Sequence, residues 1–445
     1  MLMTESPMRM DVIEAISRHM AEPDWAVAVR REAWQRFMET PAPSRTHEHW
    51  RRTDISHLRL EDITPTLLQE SPPLPDWLEE TIRAGARRVG GTLAFVDGAL
   101  AHSHLTDSLR KHGVVFTDWA QAIQTNPDAV RQAVEQLDYD PADEKFTAMA
   151  RAYATGGTVL LVPAGVKLTL PLQTFFTATG ATAVFPRTLV ILEEGSRVTL
   201  LDGLLSPDFP TRTFGSGVAD LILGEGAELT YVLFQQWGRG IEYFHHQRAV
   251  LGRDSHLTTI TVALGASVNK ATIESVLCSP GAVSDMLGVV FGDDDQHFDH
   301  HTVQLHTVGN TTSDLLFKVA LDRQAYSAYS GLIRIEPGAQ KANAYQRNEN
   351  LILSKQAHAE TLPNLEIEAD DVRCTHGATI APVDTEQMFY LMSRGLAPRD
   401  ANRLIVEGFL QPVLDRISAK SLREMVSTKV DQKIAGGRFS SGDMG

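Results

Sequence analysis

The sequence predicts a mainly β protein with helical ends: a β-helix, or solenoid, over residues 156–383, a helix-rich region over 1–155 and a helical region over 384–445. Three observations predict it. Apolar residues recur at helical spacing before Gly156, lose that spacing there, and regain it at Asp384. Between those points Val, Leu, Thr and Gly dominate, in a strand–turn–strand unit that repeats. The turns centre near Gly165, Gly195, Gly226, Asp254, Gly281, Gly309, Gly338 and Asp370, at spacings of 27 to 32 residues, the period that marks solenoids. With no helix between the strands, each coil stacks its apolar face on the next. The run of about 225 residues is too long for one sandwich, which leaves a large irregular sandwich or jelly roll as the rival architecture.

In order, residues 11–39 read as helix. Val12, Ile13, Ile16 and Met20 share one face; after Pro23, Trp25, Val29, Ala33 and Phe37 recur every four residues. A polar stretch with Pro41 and Pro43 leads into His49-Trp50-Arg51-Arg52-Thr53-Asp54, and residues 65–76 read as a Pro-rich linker. Leu93–Val96 is a short strand that turns at Asp97-Gly98, and 118–154 is helix-rich. Gly, Asp and Asn punctuate the solenoid because its turns call for positive φ. Asp384 is placed to cap a helix with Gln387 completing a capping box, and Gly395 to end it. Met388, Phe389, Leu391 and Met392 form an apolar stripe there. Pro398 starts a second helix whose apolar face runs Leu404, Ile405, Phe409, Val413, Leu414 and Ile417. A third covers 419–434, and the tail GGRFSSGDMG is expected to be disordered.

Composition narrows the function classes. A chain of 445 residues with 43% hydrophobic and 22% charged residues folds into more than one compact unit or an elongated repeat. The net charge of −15 argues against nucleic acid as a partner. Two cysteines, Cys278 and Cys374, exclude a disulfide framework and suit a reducing cytoplasm. No signal-peptide pattern and no apolar run of membrane-spanning length is present in the sequence, so no membrane role is expected. There is no phosphate-cradling GxxxxGKS/T, no GxGxxG between strand and helix and no GxSxG elbow, so no nucleotide is expected on this chain.

Three stretches carry polar chemistry. In 364–379, Leu365, Ile367 and Ala369 alternate with Glu366 and Glu368, the chain turns at Asp370-Asp371, and Cys374 and His376 follow two apart on one strand face. Thiolate and imidazole side by side suit zinc or iron–sulfur units, but two donors do not complete a site. The plain structural reading is that Cys374 is a small buried hydrophobe and that His376 hydrogen-bonds a turn. In 293–310, His297, His300, His301 and His306 stand among Asp293, Asp294, Asp295 and Asp299; the cluster reads either as a metal site or as a polar seam or interface on stacked coils. In 329–354, Gln340, Asn343, Gln346, Asn348 and Asn350 read as coil-stabilising amide ladders.

Read together, these stretches resemble one family, the paired scaffold proteins SufB and SufD of SUF iron–sulfur cluster assembly. The residues that carry the resemblance are His301-Thr302 through Thr311-Thr312-Ser313 and Lys318, Tyr329-Ser330-Gly331, Ala339-Gln340-Lys341, Tyr345–Asn348, Pro363 through Thr379, and Phe389-Tyr390 with Ser393–Leu396. His49–Asp54 matches more weakly. The SufD member fits better, because SufB carries a cysteine where this chain has Leu391. The resemblance implies a right-handed parallel β-helix and a heterodimer with SufB. It implies that the SufC ATPase docks on the C-terminal helices through Phe389, Leu404, Ile405, Phe409 and Val413. It also implies a transient cluster, shared with SufB at the interface, for which His376 with Cys374 beside it would supply ligands. On this reading the chain is not itself an enzyme. A SufB-like or self-pairing homodimeric scaffold is the first rival. A β-helix polysaccharide enzyme using Asp293, Asp294, Asp295 and Asp299 with calcium is the second, and a metal-free structural solenoid the third.

Overall fold

The computed structural model describes residues 9–60, 63, 72–137, 144–180, 183–417 and 420–436. Most of the 65–76 linker and residues 437–445 of the tail lie outside them. The N-terminal part holds α1 (Met10–His19), α2 (Asp24–Glu39), α3 (Asp76–Gly85), β1 (Gly91–Val96), β2 (Ala99–Leu105), α4 (Asp107–Lys111), β3 (Val115–Asp118), α5 (Trp119–Thr125), α6 (Pro127–Glu135) and α7 (Glu144–Tyr153). Pro23 separates α1 from α2 as the spacing predicts, and Asp118 caps α5 through the Ala120 amide. Helix α3 was not read from the sequence. It begins at Asp76, behind Pro75, where a linker was expected.

From Thr158 the chain winds into two parallel sheets. Strands β4 (Thr158–Val162), β6 (Arg187–Leu192), β8 (Thr213–Leu223), β10 (Ile241–Leu251), β12 (Val268–Leu277), β14 (His297–His306), β16 (Tyr326–Ile335) and β18 (His358–Ile367) follow one another in a nine-stranded sheet that opens with β3. Strands β5 (Leu172–Thr177), β7 (Arg197–Leu205), β9 (Glu228–Gln236), β11 (His256–Ala263), β13 (Val283–Gly292), β15 (Thr312–Leu321), β17 (Asn343–Ile352) and β19 (Arg373–Pro382) do the same in a ten-stranded sheet that opens with the β1–β2 hairpin. Consecutive strands lie in opposite sheets and every solenoid neighbour is parallel, so this is a solenoid and not a sandwich. Turn chemistry follows the sequence at Gly165, Gly195, Gly226, Asp254 and Gly281, all at positive φ. Farther on, the positive φ falls on Asn310 and Lys341 instead of Gly309 and Gly338.

Alternation assigns the faces. In the early coils the lumen is apolar, filled by Leu172, Leu200, Leu229, Tyr231, Leu233 and Leu257 among others. Toward the end it turns polar: Thr302, Gln304, His306, Gln346, Asn348 and Asn350 are all buried there. An amide pair forms within this row, with Asn350 donating to Asn348 at 2.7 Å and to the Thr379 carbonyl at 3.0 Å, whereas Gln346 donates to the Gly331 carbonyl at 3.4 Å. Gln340 and Asn343 are instead exposed at the turn. Helices α2, α5, α6 and α7 pack on the outer face of the nine-stranded sheet, through Phe146, Phe214 and Phe244. After β19 come α8 (Thr385–Ser393), α9 (Pro398–Leu414) and α10 (Lys420–Ile434), of which α9 and α10 cover the outer face of the ten-stranded sheet.

Candidate functional site at the open end of the solenoid

Strands β18 and β19 are the outermost of their sheets, and among the described residues no strand pairs beyond them. On β19, Cys374 pairs with Ala344 and His376 with Gln346 of β17, so both lie on the lumen-side row that earlier coils bury. With no further coil over them they are accessible: Cys374 is half-buried and His376 exposed. Cys374 packs with Leu365 and Val372 against Ile333, Ile335 and Ala344. That burial pushes its thiol pKa up, against a smaller opposing hydrogen bond from the Ala344 backbone. Ile367 and Ile380 are 41% and 48% exposed at the same end. The open end is therefore an apolar rim around one thiol and one imidazole. Among the described residues no three His, Cys, Asp or Glu side chains converge, so a bound metal there would need donors from elsewhere.

The four histidines of 297–306 are split by the strand's alternation. His300 and His306 face the lumen. His306 is engaged on both ring nitrogens, by Thr311 Oγ1 at 2.7 Å and Ser313 Oγ at 2.8 Å. His297 and His301 face outward, under an irregular strap made of residues 45–58. Thr53 Oγ1 donates to Asp299 at 2.5 Å and meets His297 Nε2 at 3.1 Å. Lys270 Nζ reaches Asp299 at 2.9 Å and the His49 carbonyl at 2.8 Å, while the His49 ring stacks on His301 at 3.8 Å. Burial would raise Asp299, but Lys270, His301 and Thr53 outweigh it and hold the carboxyl well below its usual range. Burial draws His300, His301 and His306 down to about 4, so all three are neutral at pH 7. Two members of the acidic run are spent in ion pairs as well. Asp293 meets Arg239 at 2.7 Å and Lys433 at 3.4 Å, and Asp294 meets Arg239 at 2.5 Å and also Arg323. Among the described residues these carboxylates form no metal-holding group with Asp299.

Comparison with known proteins decides the family. The model of the family described as "SUF system FeS cluster assembly, SufBD core domain" matches residues 175–409, and that of the "SufBD protein N-terminal region" matches residues 11–174. The chain belongs to the SufBD family. The iron–sulfur cluster assembly protein SufB of Bacillus subtilis (strain 168) is 26% identical over 435 residues, covering 95% of this chain and 92% of its own. An iron–sulfur cluster assembly SufBD family protein of Staphylococcus haemolyticus (strain JCSC1435) is 26% identical over 428 residues, with 93% and 90% covered.

In this SufBD protein the five C-terminal docking candidates fall into three environments. Phe389 on α8 is 75% exposed, and Asp384 caps that helix through the Glu386 and Gln387 amides. Leu404 is exposed; Ile405 and Phe409 are partly covered, and Phe409 receives Lys318 Nζ over its ring at 4.4 Å. Val413 is fully buried with Val406, Leu410 and Ile417. Spacing alone put Val413 on the same stripe as Leu404, but the sheet selects the 406–410–413–414–417 side of α9 for the core. Val413 is accordingly a core residue, and the surface open to a partner is that of Phe389, Tyr390, Met392 and Leu404. The strap's Thr53 and its partners Lys270 and Asp299 were missed as a unit. The motif His49–Asp54 was visible, but nothing local to it names a strand more than 200 positions away.

Proposed function

We propose that this SufBD protein is a SufD-like scaffold subunit that pairs with SufB, carries the SufC ATPase on its C-terminal helices and shares a nascent iron–sulfur cluster with SufB across the open end of its solenoid. The observation that carries the reading is the position of Cys374 and His376, on the lumen-side row of an uncapped last coil. Unpaired edges on β18 and β19, with exposed Ile367 and Ile380 beside them, are what a second sheet edge pairs with and covers. A partner seated there would bring the missing donors and exclude water. His376 would ligate through a neutral ring nitrogen. Cys374 would have to lose its proton, which its raised pKa defers until the metal arrives. Phe389 and its exposed neighbours suit docking of SufC, whose ATP cycle would open and close the interface. Two free thiols suit the cytoplasm, and among the described residues no helix is long and apolar enough to cross a membrane.

The rival is a SufB-like or self-pairing scaffold, which the name of the Bacillus relative favours and Leu391 in the Phe389-Tyr390-Leu391 motif disfavours. Co-purification with a distinct SufB separates the two. The decisive test is anaerobic reconstitution with SufB and SufC, wild type against His376→Ala, read by visible absorbance and iron content. Loss of the cluster from a complex that still assembles supports the ligand role. An unchanged cluster makes His376 structural.

A further inference from the structure

A second concavity lies on the opposite side of the polypeptide wall from the lumen, between the strap and the outer face of β14, β16 and β18. It holds about 380 Å³ and is lined by Arg45, Arg51, Arg52, His297, Tyr326 and Glu360. Three guanidinium groups converge there in a chain of net charge −15. Glu360 is the one carboxylate in the lining, and both its oxygens are engaged: Arg52 Nε donates to Oε2 at 3.0 Å and the Tyr326 hydroxyl to Oε1 at 2.8 Å. These bonds hold its carboxyl below the usual range, so it stays an occupied partner. Arg52, 16% exposed, also places Nη1 3.2 Å from Glu48 Oε1, so it is a fixed wall of the cavity. Arg45 and Arg51 are differently placed. Arg45 spends its Nε on the Arg51 carbonyl at 3.1 Å, and among the described residues its two terminal nitrogens make no hydrogen bond. Arg51 meets Glu48 at 3.3 Å, a pair in which both side chains are about two-thirds exposed and which water and salt readily exchange. The floor is rigid. The His297 and Tyr326 rings stack at 4.8 Å, on positions paired in register, and Thr53 holds His297 from behind.

We propose that this cavity binds a phosphate-bearing anion. The planar fork of arginine matches the oxygens of a phosphate, and two forks on one wall offer more donors than a single carboxylate accepts. A tetrahedral group with three terminal oxygens takes Arg45 and Arg51 together and turns its remaining oxygen to Arg52. The volume exceeds that of phosphate alone, so a second phosphate or a small organic group attached to the first fits beside it. The bound anion would tie the strap to β16 and β18, the strand that borders the open end.

The test is calorimetric titration of the full chain at low salt with two probes, inorganic pyrophosphate and glycerol 3-phosphate. Saturable binding in the millimolar range or tighter is expected for at least one, weakened about tenfold or more in the double variant Arg45→Glu, Arg51→Glu. Both side chains are exposed, so the thermal unfolding temperature of the variant should match that of the wild type. Tighter pyrophosphate identifies an inorganic or terminal diphosphate as the ligand class; tighter glycerol 3-phosphate identifies a phosphomonoester. Absence of saturable heat with either probe overturns the proposal, as does equal affinity in the double variant. Should that variant unfold early, Arg45→Gln alone, which breaks no ion pair, carries the same expectation and the same power to refute.

Discussion

At the scale of single residues, Asp299 and Lys270 form a buried charge pair in which each compensates the other. Asp299 is 1% exposed and keeps its charge because Lys270, 3% exposed, lies 2.9 Å away and Thr53 donates to it. Removing one partner leaves the other as an uncompensated buried charge, so Lys270→Met should cost about 3–5 kcal/mol in urea-induced unfolding. Lys270→Met combined with Asp299→Leu should recover much of that, because the pair is then replaced as a whole. The buried histidines act in the other direction. His300, His301 and His306 have folded pKa values near 4, against about 6.5 for an unfolded histidine. Above pH 6.5 they are neutral in both states and cost nothing. Between 6.5 and 4 the unfolded chain takes up protons that the folded chain refuses. Stability should therefore fall with acidity across that window, by up to about 1.4 kcal/mol per pH unit for each histidine. Asp299, with its depressed pKa, adds to the loss only below about pH 4. Urea midpoints at pH 7.5 and 5.0 measure the histidine part, and His306→Gln should flatten the slope.

At the scale of elements, α9 shows how one helix divides its apolar residues between core and surface. Val406, Leu410, Val413 and Leu414 face the sheet, whereas Leu404 turns to solvent. Val413→Ala should destabilise the protein by about 2 kcal/mol through lost burial and a residual cavity. Phe389→Ala should leave the unfolding midpoint unchanged and weaken co-purification with SufC. If Phe389→Ala destabilises the isolated chain instead, α8 is part of the core and not a docking surface. The C-terminal region is held to the sheet by charge as well as burial, through Arg416 just after α9 and Lys433 on α10. Arg416 pairs with Asp285 at 3.0 Å and Asp314 at 2.8 Å, and Lys433 is buried against Asp293 and Gln296. Strands show the same division in a simpler form. On β14 a step of one residue moves a histidine from the lumen to the strap side, which is why four histidines within ten positions form no cluster.

At the scale of the whole molecule, the solenoid ends abruptly. Every coil up to β17 is covered on both sides, but β18 and β19 are covered on one, and their residues are mostly half-buried or exposed. Their amides should exchange hydrogen faster than those of β12 to β15 in the isolated chain, and slow when SufB is added; unchanged exchange on β19 in the complex would place the interface elsewhere. The sequence by itself determined the repeat, most of its turns, the helical ends, the cap at Asp384 and the family, because each of these is a local pattern: a period of two, a period near 3.6, or a residue that tolerates positive φ. It also determined that Cys374 and His376 share a strand face. Only the tertiary structure decided that this face is the accessible one. The row is buried in every earlier coil and is freed on the last because, among the described residues, no strand pairs beyond it. Only the tertiary structure turned Val413 inward, split the four histidines, and laid Thr53 on Asp299, 246 positions along the chain. Local propensity fixes which residues alternate; which side of the alternation meets solvent depends on what stacks there, and that is set by segments far away in the chain.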